Sequence, residues 1–232
     1  SGAYLTGGYN IAIGNYSLST NAAGSGSTVV GHEAMRYANS STTAFTTYNT
    51  AMGYQALMGS ATAADNTGIA NTALGYQTLV GNTTGSSNVA IGGGDNSTTF
   101  GALYDNTTGG TNVAVGTSAL KTNKAGNGST AVGYEAMRYA NSTTVATTTY
   151  NTALGYQALM GSTTAASNTG TYNTAIGYQA MLNVSTSPNN IGIGYRALQN
   201  NQSVTGRNIA IGSAAMDNAT NTTGNVVIGY SA

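Results

Sequence analysis

The chain has one histidine, His32, followed directly by Glu33 and then by Arg36. A histidine beside a glutamate opens the zinc-binding helix motif, but that motif needs a second histidine four residues after the first, and position 36 is arginine. Metalloprotease chemistry is therefore excluded. Glu33 has a counterpart in Glu135, and each has an arginine three residues on, Arg36 and Arg138. Paired carboxylates share acid and base roles only when less than about 10 Å apart. These two occupy equivalent places 102 residues apart in the chain, so each reads as half of a local ion pair on a solvated face. Gly92-Gly93-Gly94-Asp95-Asn96 has neither the Lys-Ser/Thr ending of a phosphate loop nor the spaced carboxylates of a calcium loop, and reads as an inserted surface loop. No catalytic, cofactor or metal site is assigned, and the chain is not expected to be an enzyme.

Two residue types are abundant enough to form a binding surface. Of 16 tyrosines, seven directly follow a glycine that recurs at one phase along the chain: Tyr54, Tyr76, Tyr134, Tyr156, Tyr178, Tyr195 and Tyr230. Rings recurring at one phase can platform sugars, with Tyr54, Tyr76, Tyr156 and Tyr178 the main candidates, or they can pack between coils or chains. Asparagine stands in eleven Asn-x-Ser/Thr sequons, most of them in turns or insertions. Asn39, Asn82, Asn106, Asn141 and Asn183 are the candidates for carrying a glycan on the outside.

Composition narrows the partners. Charged residues make up 5% of the chain, six basic against six acidic, so no basic surface is available for nucleic acid. Cysteine is absent, which removes disulfides and thiolate chemistry. No run of about 18 apolar residues could span a membrane. With 40% hydrophobic residues and zero net charge the chain is too apolar for disorder, and 33 glycines point to a repeat.

The repeat is Asn, a β-branched residue, Ala, an aliphatic, Gly, often Tyr, any residue, Ala, then Leu or Met, as in NTALGYQAL at 151–159. It recurs on Gly14, Gly31, Gly53, Gly75, Gly92, Gly116, Gly133, Gly155, Gly177, Gly194, Gly212 and Gly229. A 17-residue unit with insertions of five or seven accounts for the spacing, one interval being 18. The block beginning at Gly14 is echoed 102 residues later at Gly116.

Apolar positions two apart followed by Gly make no helical stripe, whereas alternating β-branched and aliphatic residues suit a pleated surface. The expectation is a single all-β domain over residues 1–232, a parallel β-solenoid or β-roll of about twelve coils. At about 4.8 Å per coil the rod is roughly 57 Å long. Aliphatic ladders and an Asn ladder at a turn are expected inside, with the Leu/Met column opening a second short strand. Met35, Met137, Met181 and Met216 replace Leu and belong to the core. The Ala column is expected on the opposite face, as a small-residue surface where chains approach closely.

The signature NIAIG (10–14, 208–212), NVAIG (88–92) and NTAIG (173–177) resembles the head repeats of YadA-like trimeric autotransporter adhesins. The NTALGYQAL form is similar to repeats in phage tail-fibre and bacterial surface proteins. The resemblance implies a left-handed β-roll, a side-by-side trimer, display on a cell or virion surface, and adhesion to a host glycan or protein.

The expected function is thus a non-enzymatic extracellular fibre or adhesin shaft, with a receptor-binding phage tail fibre as the alternative. An ice-binding solenoid is weaker, because Ile or Val interrupts the Thr column at six of twelve positions. The chain starts with Ser, and joining its end to its start would continue the 17-residue spacing, so one period of a longer filament is expected.

Overall fold

The structure, a computed structural model, describes residues 7–95, 97–140, 142–201, 205–218 and 222–232. It is all-β, a parallel β-solenoid of about ten turns. One twelve-stranded sheet runs its length, built from the three-residue strands Ile11–Ile13, Thr28–Val30, Thr50–Met52, Thr72–Leu74, Val89–Ile91, Val113–Val115, Thr130–Val132, Thr152–Leu154, Thr174–Ile176, Ile191–Ile193, Ile209–Ile211 and Val226–Ile228. Neighbouring strands pair in parallel with like columns in register, for example Thr72 with Val89, Ala73 with Ala90 and Leu74 with Ile91. The insertions leave this register intact, since Val89 pairs with Val113 across the longest of them.

Each strand is followed directly by its signature glycine, which has φ between 122° and 149°. A Cβ on Gly31 would lie 2.4 Å from the carbonyl oxygen of Gly53, so coil spacing as well as backbone conformation demands glycine there.

The turn that follows places non-glycine residues two and four positions on in the left-handed region, such as Gln55 (φ 53°) and Leu57 (φ 50°). Left-handed backbone costs an L-residue roughly 1–2 kcal/mol. It is offset because Gln55 N–H donates to His32 of the preceding coil at 3.0 Å, Leu57 N–H donates to Thr78 of the next at 2.9 Å, and the Leu57 side chain is buried. Burying a leucine contributes about 1.5–3 kcal/mol, comparable to the summed cost of the two left-handed residues, and the two hydrogen bonds add to it. The Leu/Met column therefore lies in a stacked turn and does not open a strand. Second short pairs form elsewhere, Gly24–Ser25 with Phe45–Thr46 and Gly126–Asn127 with Thr147–Thr148.

The expected orientation of the sheet is reversed. The Ala column faces inward and is fully buried from Ala51 to Ala210, together with a second Ala column (Ala56, Ala158 and equivalents) and the Leu/Met column. The β-branched and aliphatic columns face outward: Ile13 is 60% exposed, Met52 46% and Leu154 48%. Both faces of the strand alternate with period two, and the narrow closed coil decides between them. Opposite the Ala–Leu/Met turn the inward column is mostly Ala, with Val29 also fully buried there. All four expected core methionines are buried.

The Asn ladder is inside, as expected. Asn71 Oδ1 accepts from the backbone N–H of Asn88 at 3.0 Å and from its Nδ2 at 3.1 Å, and Asn88 repeats the pattern with Asn112. Buried polar groups need hydrogen-bond partners, and the amide column supplies them in the coils that carry Asn. Where serine replaces asparagine, Ser27 and Ser129 pair instead with the hydroxyls of Thr47 and Thr149.

Candidate functional site

The titratable groups are dispersed, as their spacing in the chain requires. Among the described residues no three His, Asp or Glu side chains gather to hold a metal ion. Glu33 and Glu135 do form local ion pairs with Arg36 and Arg138, but both glutamates are buried and neither lies on a solvated face. Each anchors an amide ladder: Gln55 Nε2 donates to Glu33 and Gln77 Nε2 to Gln55, both at 2.7 Å. The duplicate runs from Glu135 through Gln157 to Gln179, whose Oε1 accepts from Arg196 Nε at 3.2 Å. The hydrogen bond from Gln55 holds the Glu33 carboxyl below its ordinary range, with the Arg36 charge adding to it.

The glycine-rich loop closes on itself. Asp95 Oδ1 accepts the backbone N–H groups of Ser97, Thr98 and Thr99 at 2.9–3.1 Å, which holds this carboxyl far below the usual carboxylate range. Lys121 sits 2.9 Å from Asp105 and 4.5 Å from the centre of the Phe100 ring, pinning the loop's exit.

The tyrosine column forms two surface ladders, one fixed by His32. His32 stacks on Tyr54 at 5.4 Å, and Tyr54 on Tyr76 at 5.2 Å. Tyr134, Tyr156, Tyr178 and Tyr195 stack at 5.1–5.3 Å with interplanar angles of 6–11°. Within each run the ring faces cover one another, leaving edges and hydroxyls to solvent. Tyr54, Tyr156 and Tyr178 are 41–42% exposed and Tyr76 is half-buried, so the faces a sugar would need are occupied by the neighbouring ring.

The sequons separate by burial. Asn39, Asn82 and Asn106 are buried, against the expectation of glycans on the outside. Asn106 Nδ2, the atom a glycan would occupy, donates to Asn82 Oδ1 at 2.8 Å and to the Gly109 carbonyl at 3.0 Å, within a second internal Asn ladder. Asn183 is half-buried and its Nδ2 donates to Asn200, while Asn141 lies outside the described residues. The composition of the turns hid this ladder, because sequon spacing says nothing about which way a turn side chain points.

Two surfaces were not foreseen. One is the outward aliphatic face of the sheet. The other is a set of exposed tyrosines directly before the Asn column, Tyr9, Tyr48, Tyr150 and Tyr172, each with positive φ. The recurring Tyr-Asn dipeptide was the available signal.

No helix among the described residues is long and apolar enough to cross a membrane. The chain matches no protein-family model, no curated protein and no solved structure.

Proposed function

We propose that the chain is a non-enzymatic structural fibre segment or adhesin shaft that works outside the cell, or on a virion, by side-by-side association of copies. The carrying observation is the outer face of the sheet. Its two columns repeat Ile, Val, Leu, Met and Thr in register along the rod without a charged side chain, and Ile11, Ile13, Met52, Leu74, Leu154, Val226 and Ile228 are 38–70% exposed. Contiguous exposed apolar surface on this scale marks an interaction site. Because every coil presents the same columns, a second copy aligned along the axis meets like with like over the full length. Twelve signature glycines are read as twelve coils, which by resemblance wind left-handed and assemble in threes. Attachment to a host glycan or protein would then fall to surfaces left outside the bundle.

Light-scattering mass after size exclusion tests this reading. A discrete species near three chains is expected, converting to one chain in M52K/L74K/L154K, whose altered side chains are exposed in the single copy. A wild-type chain that stays monomeric at every concentration overturns self-association.

A further inference from the structure

The chain carries its own comparison, because positions 102 residues apart in its two blocks share one backbone register. Phe45 pairs with Gly24 as Thr147 pairs with Gly126. Three exchanges between the blocks fall close together: Phe45 becomes Thr147, Ile69 becomes Thr171 and Ala70 becomes Tyr172. In the second block the first two positions line an open groove of about 520 Å³ with Thr148, Thr149, Asn168 and Thr169. In the first block the same two positions carry a phenylalanine and an isoleucine.

The groove's chemistry is specific. Every lining residue is threonine or asparagine, and none is charged. Thr149 is committed, its Oγ1 donating to the Asn127 carbonyl at 3.0 Å and meeting Ser129 at 2.6 Å. Among the described residues, the Thr148, Thr169 and Thr171 hydroxyls have no hydrogen-bond partner. Each hydroxyl offers one donor and two lone pairs, and each threonine adds a methyl group beside it. The residues next to Thr149 and Thr171 are Tyr150 and Tyr172, 53% and 55% exposed, with ring centroids 5.5 Å apart and planes tilted by 40°. The Tyr150 ring packs over Gly128, and neither ring lines the groove itself.

We propose that this groove binds a neutral saccharide. Free hydroxyls answer sugar hydroxyls, threonine methyls answer sugar C–H surfaces, and a lining without charge offers nothing to pair with an acidic sugar. The volume lies within the range of about 300–1,000 Å³ typical of small-ligand sites. The site stands independently of self-association, since a single chain contains all of it.

The test is a titration of ¹⁵N-labelled protein with the methyl glycosides of glucose, galactose, mannose and N-acetylglucosamine and with cellobiose and lactose. Saturable shifts are expected at the amides of Thr148, Thr169 and Thr171, with a dissociation constant of the order of 1 mM for the best sugar. T147F/T171I installs the first block's side chains at matching register and should weaken binding about tenfold or more. The reciprocal F45T/I69T/A70Y should add a second set of shifts at Thr46 and Thr67, and it decides the matter alone if the first variant fails to fold. Absence of saturable shifts for every sugar, or shifts unchanged in folded T147F/T171I, overturns the proposal.

Discussion

Met181 Cγ stands 2.7 Å from the place a Cβ on Gly192 would occupy, so the one glycine in the inward Ala column is filled by the methionine of the preceding coil. Gly192→Ala should cost about 1–3 kcal/mol through overpacking, with no backbone strain. Adding Met181→Leu recreates the pairing of Leu79 and Ala90 and should recover most of that loss. A double-mutant cycle in urea measures it, and additive effects would show that the two residues do not share one space.

The orientation of the sheet makes Leu74 and Leu79 opposites five positions apart, the first 38% exposed and the second fully buried. Leu79→Ala should destabilise the fold by about 2–5 kcal/mol. Leu74→Ala should stay within about 0.5 kcal/mol in a monomeric sample. Thermal or denaturant unfolding of both variants checks this, and the reverse order would mean that the aliphatic column faces inward after all.

Asn88 lies fully buried at the centre of its ladder, bonded to Asn71, Asn112 and the Gly109 carbonyl. Asn88→Ala strands those partners away from water, at a cost of about 1–3 kcal/mol for each buried group left unsatisfied. Hydrogen exchange should quicken first at Val89–Ile91 and Val113–Val115, the strands this rung joins.

Asp95 has its carboxyl lowered from an ordinary 3.8 by three backbone donors. A depressed folded value means that the loop's gain is complete above 3.8 and fades only as pH falls toward the depressed value. NMR titration should find Asp95 still ionised at pH 3.8. Asp95→Ala should remove the loop's protection without changing the strand register.

Glycan occupancy tests the inner Asn ladder. Peptide mapping of material from a glycosylating host should find Asn82 and Asn106 unmodified, because their amides face the interior. A glycan on Asn106 would require a chain that never closed that turn.

Register and composition were legible in the residues alone. The signature glycine recurs at intervals that every strand pairing reproduces, from Ile11 opposite Thr28 to Ile209 opposite Val226, because stacked coils must bring like residues together to stay parallel. The insertions were legible as loops for the same reason. What the tertiary structure decided was direction. Period-two alternation marks two faces without saying which one the coil closes upon, and only the narrow cross-section turns Ala73 inward and Leu74 outward. Stacking then converted Tyr54 and Tyr76 from open ring faces into a ladder, and coil closure drew Asn106 inside. Exposure depends on the neighbouring coils, and no single repeat contains them.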